Sequence, residues 1–295
     1  MSTPPGYPRA RHLLGWPFAA GLVLVVAAEL TASARGNRAW NPVALPAWYL
    51  VWGGWVVWTC RRNGIGLRRL VGQWPRREAA WGYVGMALPL LVLSAGLFLL
   101  QAAAAAWAFP ELIEEFIAED PAGETGPTLA SSVLQILVAV AIAPIVEELA
   151  FRGVLLRSWS RRRGRRAAVL GTAALFAVLH PTDLLGSFAF GVVLAAIRLR
   201  TRTLLVPIAC HVLFNALVSL VSTGAPAVLE DPDSSALTPD ELRSMAWVGV
   251  ACLAVALPAL AVFLRRQAAL LAPQRHHRVQ PGGPAGGSDP EDHPA

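Results

Sequence analysis

Residues 143–153 read Ala-Pro-Ile-Val-Glu-Glu-Leu-Ala-Phe-Arg-Gly and lie inside an apolar run that extends from about residue 129 to 156. Two adjacent carboxylates and one guanidinium therefore fall in a stretch long enough to cross a membrane. Insertion scales put the cost of one such charge at the helix centre at roughly 2.5–3.5 kcal/mol. Because these groups are tolerated only where they face a bundle interior and find partners, they indicate a functional site.

The composition of the 295-residue chain is typical of a membrane protein. Hydrophobic residues make up 55% of it and charged residues 15%, against about 25% charged residues in soluble domains. Several runs approach 20 residues with few or no charges, which predicts an all-α, polytopic transmembrane helical bundle. Three separate cysteines form neither a disulfide framework nor a zinc motif. The net charge of +6 favours basic cytoplasmic loops over nucleic-acid binding.

Eight spans account for the apolar runs, at about residues 13–31, 42–60, 79–107, 128–156, 167–180, 184–197, 203–221 and 245–264. The first run also has the look of a signal peptide, but we favour a transmembrane helix. All 25 basic residues are arginines. With both termini cytoplasmic, Arg35, Arg38 and Arg243 lie outside and Arg152 lies within a span, which leaves 21 of the 25 inside. The positive-inside rule predicts this asymmetry.

Only two of the six histidines, His180 and His211, lie in apolar segments. With a rise of roughly 1.5 Å per residue, Glu147 is about 15 Å from Arg157 along its helix. On the same measure His211 is about 12 Å beyond the start of its span, and His180 is at most about 20 Å beyond the start of its own. We therefore expect these side chains to share one layer of the bundle.

The spacings within each helix are also informative. Glu148 and Arg152 are four residues apart in the order that favours a helical ion pair, which leaves Glu147 on a different side of the helix. His211 and Asn215 are also four apart and share a face. Phe176 precedes His180 by one turn. Asp183 follows a proline and is positioned to cap the next helix.

These three motifs, Glu147-Glu148-x-x-x-Arg152, Phe176-x-x-x-His180 and His211-x-x-x-Asn215, resemble those of the CAAX-processing and bacteriocin-processing (CPBP, or Abi) intramembrane protease family. The resemblance covers about residues 128–222. It implies an eight-helix endopeptidase of the cell membrane whose site is open to the cytoplasmic side. It also implies that Glu147 and His180 activate a water, that His211 and Asn215 stabilise the oxyanion, and that Glu148, Arg152 and Phe176 support them.

The apolar runs, the composition and the extent of the resemblance together divide the chain into five parts. They are a cytoplasmic leader (1–12), three N-terminal transmembrane helices with their loops (13–127), the protease core (128–222), an outer acidic loop with the last transmembrane helix (223–264), and a disordered cytoplasmic tail (265–295). The expected partners are the lipid bilayer and a membrane-associated peptide or protein substrate, with no nucleic acid.

Two questions stay open at this level. The alternative to a metal-free reaction is a zinc site formed by Glu147, His180 and His211, because three protein ligands would leave a fourth position for water. We favour the metal-free reaction, since the sequence has no His-Glu-x-x-His helix. The alternatives to a protease are a non-catalytic membrane partner or immunity protein of the same fold, and a transporter or proton relay.

Overall fold

The computed structural model describes residues 15, 18–24, 26–27, 44–75, 77–118, 129–229 and 238–271. Within these ranges all regular structure is helical, as the composition predicts. The leader, much of the first predicted span, the centre of the outer acidic loop and residues 272–295 lie outside them. The helices are α1 (Ala44–Arg62), α2 (Leu67–Val71), α3 (Arg77–Val84), α4 (Ala87–Ala108), α5 (Pro110–Ala118), α6 (Leu129–Leu137), α7 (Ala143–Glu148), α8 (Leu156–Val178), α9 (Leu184–Thr201), α10 (Leu205–Leu229), α11 (Pro239–Ser244) and α12 (Ala246–Leu271).

Five helical segments of the described chain are long and apolar enough to cross a membrane: Ala80–Ala108, Leu129–Val178, Pro181–Thr201, Leu205–Ser222 and Pro239–Ala268. The predicted count of eight and the predicted cytoplasmic termini are not confirmed. Two differences concern the second, fourth and fifth predicted spans. The second predicted span corresponds to α1, which is not among the five. The fourth and fifth lie in the single segment Leu129–Val178, but two helices meet there at Gly164, whose φ of 81° and ψ of 164° are not helical but are adopted by glycine without strain.

Helix boundaries also differ from the prediction at two places. The acidic stretch that the sequence assigns to a loop after the third span contains α5. The last helix continues to Leu271, seven residues beyond the predicted end at 264, so residues 265–271 are helical.

The helix that carries the two glutamates is not a regular α-helix. Two π-helical segments, Val138–Ile142 and Leu149–Leu155, flank α7. In the first of them the N–H of Ala143 donates to the carbonyl of Val138, and Pro144 has no N–H to donate. The carbonyl of Ala139 is therefore left without a donor from its own helix. π-helical turns of this kind occur frequently at functional sites.

Close helix contacts depend on small residues. A Cβ added at Gly191 of α9 would lie 2.9 Å from the Cα of Ala173 in α8. Between α4 and α12, a Cβ at Gly96 would lie 2.9 Å from the carbonyl oxygen of Gly249. Small residues let two helix backbones approach closely. In a membrane the lipid is as apolar as the side chains, so van der Waals packing between helices, rather than hydrophobic burial, stabilises such contacts. These contacts set the spacing of the helices around the glutamates.

Candidate active site

Glu148 and Arg152 form the buried ion pair that their spacing predicts. Arg152 Nη1 donates to Glu148 Oε1 at 2.8 Å, and both side chains are at most 1% exposed. Arg152 Nη2 also lies 3.5 Å from the carbonyl oxygen of Gly191, and its guanidinium carbon is 4.7 Å from the centre of the Phe176 ring. Since two buried charges are expensive unless paired and hydrogen-bonded, this pair fixes α9 against the glutamate helix.

His211 binds the same glutamate that Arg152 binds. Its Nδ1 is 3.1 Å from Glu148 Oε1, and because a carboxylate paired with Arg152 only accepts, this nitrogen carries the hydrogen. The other ring nitrogen, Nε2, lies 3.8 Å from Glu147 Oε2. Glu148 therefore fixes the tautomer and the direction of the imidazole, and turns Nε2 towards Glu147. The sequence predicted only the bond between Glu148 and Arg152.

His180 is held by its own helix at the point where that helix ends. Pro181 follows, and the backbone of His180 is non-helical, with φ −125° and ψ 63°. The imidazole stacks on Phe176 with ring centres 4.3 Å apart, and Nδ1 is 2.9 Å from the carbonyl oxygen of Phe176. A carbonyl only accepts, so Nδ1 carries the hydrogen and Nε2 presents a lone pair in the neutral ring. Nε2 is 4.0 Å from Glu147 Oε1.

Asn215 lies one turn beyond His211 on α10, and it bridges two helices. Its Nδ2 donates to the carbonyl of Ala139 at 2.7 Å, which is the carbonyl that Pro144 leaves without a donor. Asn215 thus completes the backbone hydrogen bonding of the π-helical turn. The amide nitrogen has a second hydrogen, which this bond does not use.

Tyr49 is the site residue that sequence reasoning missed. Its hydroxyl donates to Glu147 Oε1 at 2.6 Å, and the hydrogen bond is buried. Tyr49 lies on α1, outside the three motifs, and its ring packs on Trp48 with ring centres 4.9 Å apart. The sequence carries only a weak signal for it, a tyrosine within a tryptophan-rich segment. Its position at the glutamate depends on how α1 docks against α7.

The side chains enclose a cavity of about 230 Å³. The cavity is lined by Glu147, His180, His211 and Asn215 together with Leu45, Tyr49, Ser94, Val138, Ala139, Ala143, Phe176, Asp183, Ser187, Phe190 and Phe214. Asp183 also caps α9, as predicted: its Oδ1 accepts from the N–H of Gly186 at 3.1 Å. The structure therefore brings all four predicted catalytic residues to one cavity, while Glu148 and Arg152 are buried beside it.

The donor atoms do not have the spacing of a zinc site. Ligands about 2.0–2.1 Å from a tetrahedral ion are about 3.3 Å from one another. In contrast, the two histidine Nε2 atoms are 4.0 Å and 3.8 Å from oxygens of Glu147. Among the described residues no group of three or more histidine, cysteine, aspartate or glutamate side chains could hold a metal ion. The residues as they stand do not fit a zinc ion.

Comparison with known proteins bears on the same part of the chain. Residues 129–217 match the family described as Rce1-like, type II CAAX prenyl endopeptidase. No curated protein and no solved structure matches the chain. The matched segment holds all three motifs and all of the site residues except Tyr49. This segment, 89 of the 295 residues, is thus similar to the Rce1-like type II CAAX prenyl endopeptidases, a family of intramembrane endopeptidases.

Proposed function

We propose that the chain hydrolyses a peptide bond of a membrane-associated protein or peptide with a water that Glu147 and His180 activate together. The proposal rests on two hydrogen-bond acceptors, one on Glu147 and one on His180, that face each other across a gap in the cavity. Glu147 Oε1 and the lone pair on His180 Nε2 are 4.0 Å apart, and one water can make hydrogen bonds of about 2.8 Å to both. General-base removal of a proton from such a water contributes typically 10²–10⁴-fold to a rate.

Glu147 is held for this task by a neighbour on another helix. The hydroxyl of Tyr49 occupies one lone pair of Oε1, and the side chain of Glu147 is 6% exposed. A carboxylate fixed in this way keeps its orientation towards the cavity and loses little freedom when the substrate arrives. A catalytic group that is already held in its reactive orientation does not have to be reorganised during the reaction, and this lowers the barrier.

His211 and Asn215 are placed to stabilise the negative charge that develops on the carbonyl oxygen. With Nδ1 committed to Glu148, His211 donates through Nε2 when the ring carries a second proton. Asn215 contributes its second amide hydrogen. Removing one such donor costs about 10²–10³ in kcat in well-studied hydrolases.

Glu148 and Arg152 act through His211 and through the packing of α9, and we assign them no contact with substrate. Phe176 likewise acts on His180, whose Nδ1 hydrogen its carbonyl accepts. In this proposal the protein is a multi-pass protein of the cell membrane, and its partners are lipid and a peptide or protein substrate.

The test is cleavage of a quenched-fluorescence peptide library by the purified protein in detergent. We expect the wild type to cleave and Glu147→Gln to be inactive while it retains the wild-type thermal stability within a few degrees. Glu111→Gln, at an exposed glutamate on α5, is the matched control and should be fully active. Each protein is assayed with and without a chelator.

Three outcomes are informative. Wild-type activity that resists chelation and is lost in Glu147→Gln supports the proposal. Activity that chelation abolishes refutes the metal-free reaction. Cleavage by Glu147→Gln at the wild-type rate refutes the role of Glu147, and normal physiological activity of that variant would favour a non-catalytic partner of the same fold.

A further inference from the structure

A turn rich in arginine interrupts α8 well outside the catalytic cavity. Residues 161–166 read Arg-Arg-Arg-Gly-Arg-Arg, and α8 contains no acidic residue. Arg165 is half-buried, and the other four arginines are exposed. We call residues 161–166 the basic turn, since they place five positive charges on a short stretch of the protein surface.

The two halves of α8 pack against each other across the basic turn. A Cβ added at Gly171 would overlap the ring of Trp159 and would lie 2.9 Å from its Cε3 atom. Residues 12 apart in one straight helix would be about 18 Å apart, so the chain folds back at Gly164. Trp159 also packs against the buried cluster that contains Leu156 and Val169. Packing therefore holds the basic turn in place.

Beyond the turn, one face of α8 is apolar and exposed. This apolar strip consists of Ala167, Leu170, Ala174 and Val178, whose spacings of three and four residues put them on one side of the helix. Leu170 is 53% and Val178 is 66% exposed. The strip is about 17 Å long, which is close to the depth of one leaflet, half of a hydrocarbon core of about 30 Å. Because the segment Leu129–Val178 is long and apolar enough to cross a membrane, we expect the strip to face acyl chains.

The basic turn and the apolar strip meet on the same side of α8. Arg166 precedes Leu170 by one helical turn and so lies at the head of the strip. Gly171 lies four residues after the first member of the strip and three before the third, so the ring of Trp159 that covers it borders the strip. The guanidinium carbon of Arg163 is 5.2 Å from the centre of that ring. Two arginines and an aromatic wall thus surround one end of an exposed apolar surface.

These two surfaces match the two parts of an anionic phospholipid. Guanidinium groups bind phosphate oxygens in a bidentate geometry. An acyl chain is as apolar as the side chains of the strip, so the two make van der Waals contact without cost in water exposure. Tryptophan is enriched at the level of the lipid headgroups, which is the level that Trp159 marks between the arginines and the strip.

We propose that the basic turn, Trp159 and the apolar strip form a binding site for one anionic phospholipid of the bilayer. The phosphate of the lipid pairs with Arg163 and Arg166, and one acyl chain lies along the strip from Leu170 to Val178. The site is on the outer surface of α8, and it is independent of the proposed protease function.

The test is lipid binding to the full-length protein, purified in detergent and freed of lipid. Native mass spectrometry gives the dissociation constant of phosphatidylglycerol, and phosphatidylcholine with the same acyl chains is the zwitterionic reference. We expect phosphatidylglycerol to bind roughly tenfold more tightly or better, because its net charge is not cancelled within the headgroup.

Two double variants of equal charge change locate the site. Arg163→Gln with Arg166→Gln should weaken phosphatidylglycerol binding about 30-fold, since each arginine close to an anionic lipid contributes about fivefold. Arg68→Gln with Arg69→Gln, at exposed arginines of α2, is the matched control and should bind as the wild type does. If the first double variant does not fold, Arg163→Gln alone should show the fivefold loss.

Leu170→Gln tests the apolar strip, because it leaves every arginine in place. We expect it to weaken phosphatidylglycerol binding, and unchanged binding would overturn the role of the strip. Equal affinity for the two lipids overturns the proposal. An equal loss in both double variants also overturns it, since attraction to surface charge alone would then account for binding. Displacement of phosphatidylglycerol by an equal concentration of inorganic phosphate would show a site for a free anion instead.

Discussion

Replacement of Tyr49 by phenylalanine tests how much the site depends on a residue outside the three motifs. The change removes only the hydroxyl that donates to Glu147 Oε1 at 2.6 Å, and it keeps the ring that packs on Trp48. A hydrogen bond to a charged group contributes about 1.5–3 kcal/mol. If all of it served to hold Glu147 in its reactive orientation, kcat would fall by about 10–150-fold, since 1.4 kcal/mol corresponds to tenfold.

The assay compares kcat and KM of purified Tyr49→Phe with those of the wild type on one fluorogenic peptide. Because Tyr49 acts on the base, we expect the fall in kcat with KM almost unchanged. The matched control is Tyr83→Phe on α3, whose ring packs against Phe263 away from the cavity, and which should keep wild-type kcat. A Tyr49→Phe protein with wild-type kcat would refute the positioning role. An equal loss in both variants would point to general destabilisation.

Three further changes test the network and the packing around it. Arg152→Met leaves Glu148 buried beside an apolar side chain, so we expect a loss of about 3–5 kcal/mol of stability, measured by thermal unfolding in detergent, and partial recovery when Glu148→Gln is added. Asn215→Ala should lower kcat by about 10²–10³-fold at a temperature far below its melting point; a purely structural role for Asn215 would leave kcat intact there. Gly191→Val forces α8 and α9 apart and should destabilise by about 1–3 kcal/mol, whereas Gly54→Val, with open space around it, should show a much smaller effect in the same unfolding assay.

The contacts within one helix could be predicted because helical geometry alone sets them. Residues four apart on a helix are neighbours whatever surrounds them, so the pairing of Glu148 with Arg152 followed directly from the spacing. The cap of α9 by Asp183 is equally local. The apolar runs and the deep histidines likewise required a helical bundle with a polar layer inside, and the described helices have this form.

Contacts between helices could be anticipated only in part. Depth counting placed Glu147, His180 and His211 at similar levels, and the structure brings them to one cavity. Depth counting could not show that His211 would turn Nδ1 towards Glu148. The hydrogen bond from Asn215 to the carbonyl of Ala139 forms because the π-helical turn and Pro144 leave this carbonyl without a donor. In a regular α-helix the same carbonyl would be hydrogen-bonded within the helix.

The sequence by itself determined that the chain is helical with segments long and apolar enough to cross a membrane, which side chains are the candidates for its chemistry, and which of them pair along a helix. Only the tertiary structure decided that Tyr49 donates to Glu147 and that Glu148 accepts from Nδ1 of His211. The reason is that spacing along a helix is set by local backbone geometry. The register and rotation of one helix against another are set by packing contacts, such as that of Gly191 with Ala173, which link residues distant in the chain.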